Sequence, residues 1–365
     1  MRILIDAMAV GEGRGGIVTY LRGLLRGWHE AGFDDELAVV GTAKLPPEID
    51  EALGALGTTF RLGGAYPGSR FVAQHVGIPA LARRWQPDAI LATTPVVPLL
   101  IWRRPVVAMV HDLRYRHRPA EFRRVQRWYR TVTYWWGIRR AQRLVTNSLM
   151  TQQDIVAAYP DVAAKIETIY LGCDLFACDA AATGSHALAF AHWTNKQPDV
   201  SIRAWALLNS TIDGFSNILH IVGVSPHDRP RLDGVIDQCG VRHLVQLHDF
   251  LDDATYQRLL SSARLLLMPS TFEGFGLPIV EAMRLGVAVV ASDNAGMQEA
   301  GGAFALYAPA DSPEAFAKQC ARLLRDDALR QSLVAGGRRH AEQFTWRRTA
   351  EQTRETLGRV GTPSC

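Results

Sequence analysis

The sequence predicts an α/β protein of two tandem domains, each a parallel sheet covered by helices. Three observations carry that reading. The chain has 365 residues, more than twice the usual size of a single domain. Apolar runs of four to six residues alternate along its length with amphipathic segments of helical length, the pattern of repeated βα units. Each half also opens the same way. RILIDA leads through the glycine loop GEGRGG into IVTYLRGLLRGW, and ALAFAH leads through the polar loop WTNK into DVSIRAWALL. That repetition reads as two Rossmann-like domains.

In the first domain, expected over residues 1–175, the strand-like runs are RILID, ELAVVG, AILAT, VVAMVH and RLVTNS. The polar, alanine-rich stretch LFACDAAATGSH reads as the linker. The second domain, expected over 176–345, has ALAFAH, NILHIVG, VQLHDF, RLLLMPS and VAVVAS. Beyond the last strand the chain reads as helices, through DSPEAFAKQCARLLRDD and DALRQSLVAGGRRHAEQF to TWRRTAEQTRETL. The final helix, 346–365, is placed to return to the first domain.

Hydrophobic residues make up 48% of the chain and charged residues 21%, a globular rather than disordered composition. The formal charge of +4 comes almost wholly from arginine, since the lysines are Lys44, Lys165, Lys196 and Lys318. An excess this small points to no nucleic-acid partner, and it makes a lysine in a loop more informative than an arginine. Cys173, Cys178, Cys239, Cys320 and Cys365 are an odd number without C-x-x-C spacing, which argues against a disulfide framework or zinc site and for a reducing compartment. The chain begins as a strand with no tripartite signal. Its longest apolar stretch, Ile90 to Trp102, is too short and proline-broken to span a bilayer. A cytoplasmic protein, soluble or peripheral, is expected.

In open parallel sheets ligands bind where strands end, so the loop TFEGFGLPIVEAM, Thr271 to Met283, stands out. Pro278 suits a first helical turn, which puts Glu273 on the loop and Glu281 about one turn into the helix. Gly274 and Gly276 leave the backbone bare beside a helix N-terminus, whose N–H groups and dipole attract phosphate. The two carboxylates suit the vicinal hydroxyls of sugars. Phosphate and sugar would thus be held together.

The run E-G-F-G-L-P-I-V-E-A-M-R-L-G resembles the Glu-x7-Glu motif of the large retaining glycosyltransferase family of GT-B fold, which uses nucleotide-diphosphate sugars. FLDDATYQRLLSSARLLLMPSTFEGFGLP and GGAFALYAPADSPEAFA resemble that family's approach to and exit from the motif, and the likeness runs over nearly the whole chain. It implies two Rossmann-like domains facing a central cleft, with the acceptor on the first and the donor on the second. It assigns Glu281 to the ribose hydroxyls, Glu273 to the transferred sugar, and the Phe275, Gly276 and Leu277 backbone to sugar and diphosphate. The glycines Gly15 and Gly16 correspond to the family's first loop, although a tight strand-to-helix turn would require the same residues. His111, in VVAMVHDLRYRHRP, corresponds to a histidine near the anomeric centre, where the alternative is a simple turn residue. Lys196 matches the family's loop lysine for the diphosphate. The arginine that accompanies it in the family is missing from A-H-W-T-N-K, so His192 or Asn195 stands near its place.

No Asp-x-Asp occurs, so the resemblance implies a metal-independent enzyme without a cofactor. It moves a hexose from a nucleotide sugar to a saccharide or lipid-linked acceptor with retention. GGIVTYL and VHDL are similar to mannosyl- and rhamnosyltransferases of bacterial polysaccharide assembly, pointing to GDP-mannose, with UDP-, dTDP- or ADP-sugars as alternatives. A sugar-phosphate synthase shares the architecture. A glycoside hydrolase would use two carboxylates but has no need of a phosphate loop. The segment Phe122 to Arg143 interleaves Arg123, Arg124, Arg127, Arg130, Arg139 and Arg140 with Trp128, Tyr129, Tyr134, Trp135 and Trp136. It reads as an interfacial helix for the inner membrane leaflet, an ordinary surface helix, or a stacking surface for single strands.

Overall fold

The computed structural model describes residues 1–11, 15–63, 69–99, 104–175, 184–192 and 194–361. The glycine-loop residues 12–14 and most of the expected linker, 176–183, fall outside them. The chain divides into one unit of Met1–Leu175 with Phe344–Cys365, and a second of Phe176–Gln343.

The first unit holds strands β1 (Arg2–Asp6), β2 (Glu36–Gly41), β3 (Gly57–Arg61), β4 (Ala89–Ala92), β5 (Val106–Val110), β6 (Arg143–Thr146) and β7 (Ile166–Thr168). Their order in the sheet is β3-β2-β1-β4-β5-β6-β7, and every pairing is parallel. The second unit holds β8 (Ala187–Phe190), β9 (Leu219–Val222), β10 (Val245–His248), β11 (Leu265–Met268), β12 (Ala288–Ser292) and β13 (Leu306–Ala308). These run in the order β10-β9-β8-β11-β12-β13, again all parallel. The central strands β4, β5, β8, β11 and β12 are buried at every position. Helices cover both faces of a parallel sheet, so these strands read as continuous apolar runs.

The strand order reverses between β1 and β4 in one sheet and between β8 and β11 in the other. Chains leaving two such neighbouring strands turn to opposite faces, which opens a crevice at their carboxyl ends. The loops after β8 and β11 carry Lys196 and Glu273, which explains why residues 77 positions apart can meet.

The last helix, Trp346–Gly361, belongs to the first unit. It lies against the Gly16–Glu30 helix on a notch of bare backbone: a Cβ on Gly23 would meet the Trp346 ring at 2.1 Å, and one on Gly27 the Trp346 carbonyl oxygen at 2.1 Å. Asp35 fastens the same region, accepting from the terminal amine of Met1 at 2.8 Å, Arg354 Nε at 2.6 Å and Trp28 Nε1 at 3.1 Å. Burial pulls the Asp35 pKa up, but these donors outweigh it and hold the carboxyl below its ordinary value.

Candidate functional site

The second unit gathers Lys196, Glu273, the Gly274 to Leu277 backbone and Glu281 at its strand-order reversal. After β8 the chain makes a tight 3₁₀ turn at Thr194–Lys196. Gln197 then takes a left-handed conformation, φ 47°, uncommon for a residue with a side chain, before the Pro198–Thr211 helix begins. That turn buries Lys196 to 5% exposure and sets its Nζ 2.7 Å from Glu273 Oε1. The Phe190 ring centroid lies 5.6 Å from the same ammonium.

Three donors converge on one carboxylate oxygen. Besides Lys196, Glu273 Oε1 accepts from Asn195 Nδ2 at 2.9 Å and Ser270 Oγ at 2.7 Å. Among the described residues no donor reaches Oε2. Glu273 is therefore held in one orientation through a single carboxylate oxygen.

The loop is held in place from both sides. β11 ends at Met268 rather than at the expected Ser270, and the Ser270 carbonyl oxygen is held by Ser292 Oγ at 2.6 Å and Asn294 Nδ2 at 2.9 Å. Gly276 caps the Leu277–Leu285 helix at φ 93°, a left-handed value that favours glycine. Gly296 is equally constrained, since a Cβ there would meet the Glu273 carbonyl oxygen at 2.4 Å. Phe275 is buried, so its side chain anchors the loop while its backbone leads into the helix entrance.

Glu281 lies one turn inside that helix and is only 6% exposed. Tyr256 Oη donates to its Oε2 at 3.1 Å. Burial and the adjacent carboxylate hold the Tyr256 hydroxyl well above its usual pKa, so it stays protonated and keeps donating.

The missing arginine is not replaced by Asn195. The Asn195 amide N–H groups are committed to Glu273, Ser270 and the Phe272 carbonyl oxygen at 2.7–2.9 Å, which makes Asn195 a positioning residue for Glu273. His192 instead sits between Phe190 and Phe250, with ring centroids 5.6 and 6.0 Å away. Sequence reasoning missed Tyr256, Ser270, Ser292 and Asn294. Only Asn294, the side-chain cap of the Ala295–Gly301 helix, carried a local signal.

Gly15, Gly16 and His111 belong to the first unit: Gly15 caps the Gly16–Glu30 helix, whose first residue is Gly16, and His111 follows β5 directly. Gly15 has an extended backbone, φ 178°, and a Cβ on either glycine would meet nothing within 4 Å. Among the described residues, no packing contact requires glycine at either position. At the end of β1, Asp6 accepts from Met8 N at 3.0 Å and Gln74 Nε2 at 3.1 Å, and burial pushes its pKa up to about 6.

His111 Nε2 lies 3.1 Å from the Thr93 carbonyl oxygen. A carbonyl only accepts, so Nε2 carries the proton and Nδ1 is the acceptor in the neutral ring. Burial lowers its pKa to about 4, which makes it a neutral hydrogen-bonding group and a poor base. The Tyr20 ring meets it edge-on at 5.1 Å.

Two parallel-sheet units with this loop at the strand-order reversal define the class as a two-domain, Rossmann-like GT-B fold. The family described as Glycosyl transferases group 1 matches residues 186–326, and Glycosyltransferase Family 4 matches residues 14–175. The chain belongs to the GT-B glycosyltransferases. It is 38% identical over 162 residues to a D-inositol 3-phosphate glycosyltransferase of Jonesia denitrificans, covering 42% of this chain and 38% of that protein. It is 29% identical over 266 residues to an MMP α-(1→4)-mannosyltransferase of Mycolicibacterium hassiacum, covering 68% and 64% respectively. The chain thus spans less than two thirds of these relatives' length. In fold it is similar to Anabaena HepE, solved with UDP-glucose, with a TM-score of 0.78, 19% identity, and coverage of 99% of this chain and 100% of that one.

Proposed function

We propose that this protein is a retaining, metal-independent hexosyltransferase that moves mannose from GDP-mannose to a hydroxyl of a saccharide or glycolipid, in bacterial polysaccharide assembly. The observation that carries the reading is the Lys196–Glu273 pair beside the Leu277–Leu285 helix entrance, with Glu281 buried one turn on. Glu281 takes the ribose hydroxyls and Glu273 Oε2 a hydroxyl of the transferred sugar. Lys196 has three N–H donors and spends one on Glu273, so two remain for the diphosphate. With no Asp-x-Asp in the sequence, Lys196, the helix dipole and backbone amides stabilise the leaving charge. Mannose is supported by the mannosyltransferase among the relatives.

In the reaction the bond from the anomeric carbon to the diphosphate oxygen breaks and a bond to the acceptor oxygen forms on the same face. The acceptor proton passes to the leaving diphosphate. His111 supports this route because its neutral ring, at a pKa of about 4, hydrogen-bonds the sugar without acting as the base. The open space beside Gly15 and Gly16 supports their place on the acceptor and phosphate side.

A second reading concerns the acceptor. The likeness to a D-inositol 3-phosphate glycosyltransferase favours a phosphorylated polyol in place of a saccharide chain. Thermal-shift screening against GDP, UDP, dTDP and ADP tests the donor. A nucleotide at ~100 times its dissociation constant stabilises by about 2.7 kcal/mol. GDP should give the largest shift, and a flat response to all four would sink the proposal.

A further inference from the structure

We propose that the Arg124–Arg140 helix is a docking surface for an anionic lipid bilayer, seated through Val125, Trp128, Val132 and Trp135. These side chains are 77%, 69%, 45% and 48% exposed. At ~100° per residue they fall within an arc of about 80°, one continuous stripe. The stripe is not the core face of the helix. Tyr134, Gly137 and Ile138 face inward, and Gly137 lies so close to the body of the unit that a Cβ there would meet the Pro95 carbonyl oxygen.

Charge selects the occupant. The helix has five arginines and no acidic residue. Arg124 borders the exposed stripe and Arg127 is exposed on the same first turns, about 80° beyond the stripe's edge, and among the described residues neither makes an ion pair. Arg139 closes its far end, stacked over Trp135 at 5.0 Å and paired with Asp161. A further exposed apolar group, Phe71, Val72 and Val76, lies on a stretch whose Arg70 offsets part of the rise that burial gives the Tyr129 hydroxyl.

Large apolar side chains bordered by uncompensated guanidinium groups match a surface that is apolar below and anionic at its headgroups. Tryptophan suits that boundary because its ring is apolar and its N–H polar. A second copy of the chain would set arginine against arginine. Single-stranded nucleic acid calls for rings along a basic groove, whereas these stand on the convex side of a helix. No helix among the described residues is long and apolar enough to cross a membrane, so this contact would be peripheral.

The test is flotation of the full-length chain with phosphatidylglycerol or phosphatidylcholine vesicles at low salt. The proposal expects binding to phosphatidylglycerol only, weakening as salt screens the arginines. Arg124→Gln with Arg127→Gln should lower partitioning on the order of 25-fold, at roughly fivefold per arginine. Trp128→Gln with Trp135→Gln should remove the blue shift of tryptophan fluorescence and most of the binding. Circular dichroism checks each variant's fold, and the arginine pair decides alone if the tryptophan pair unfolds. The proposal is overturned by absent binding to phosphatidylglycerol or unchanged partitioning of the arginine variant. It also fails if the tryptophan pair instead abolishes binding of a single-stranded oligonucleotide or dissociates a dimer. No nucleotide sugar enters the assay, so its outcome is independent of the donor-site reading.

Discussion

Replacing Lys196 by Met keeps the aliphatic volume in a 5% exposed position and deletes the charge that sits 2.7 Å from Glu273 Oε1. Two consequences follow with different sizes. In the unliganded protein a hydrogen bond between charged groups is lost, worth about 1.5–3 kcal/mol. Breaking a fully buried ion pair costs about 3–5 kcal/mol, but Glu273 is 16% exposed and keeps Asn195 and Ser270 as donors. A loss near 2 kcal/mol is therefore expected, which lowers the unfolding midpoint of a domain of this size by about 4–8 °C. On the proposed reading, the same ammonium meets charge that grows during turnover as the diphosphate leaves. A preorganised contact of this kind is worth about 3 kcal/mol in the barrier, so kcat should fall roughly a hundredfold. Donor affinity should change much less, because the contact strengthens toward the transition state. Differential scanning fluorimetry and steady-state release of nucleoside diphosphate read the two effects separately. A Lys196→Met protein with native midpoint and native kcat would refute the reasoning for both.

Glu281→Gln should weaken nucleoside diphosphate binding more than it slows turnover, and Tyr256→Phe should do so by about fivefold, one hydrogen bond's worth, both by calorimetric titration. Acid stability should follow two half-buried histidines: burial first, then His186 and His248, hold His220 down to about 4, and burial holds His111 there too. Their ordinary value is 6.5, so the unfolded chain binds protons first. Their stabilising contribution is full above pH 6.5 and lost as pH falls toward 4, which thermal midpoints across that range will show, flattened in His220→Gln. Gly27→Ala should reverse the usual gain of about 0.5–1 kcal/mol for Gly→Ala in a helix, because its Cβ would strike the Trp346 carbonyl oxygen. Limited proteolysis near Phe344 should then release the C-terminal helix faster than in the native protein.

The strands legible in the sequence were those whose burial on both faces leaves an unbroken apolar run, such as AILA and LLLM. The ones missed, GTTFR, IET and LYA, close one edge or both edges of their sheets. They are short and half-buried, so no such run marks them. At the site, Glu273, Gly276 and Glu281 were legible because a loop, a cap and a helix turn are local in sequence. Tyr256 was not, because its bond to Glu281 joins separate helices. Nor was the role of Asn195, whose partners lie more than 70 positions away.

The central claim is that the loops after β8 and β11 hold a nucleotide sugar for transfer rather than a glycoside for hydrolysis. NMR-followed turnover of GDP-α-mannose in EDTA tests it most directly, with a saccharide acceptor and, in parallel, a simple aryl mannoside without nucleotide. The account predicts GDP release with an α-linked product, no cleavage of the aryl mannoside, and loss of the reaction in Lys196→Met. Cleavage of the aryl mannoside that disappears in Glu273→Gln, with GDP-mannose left intact, would contradict it.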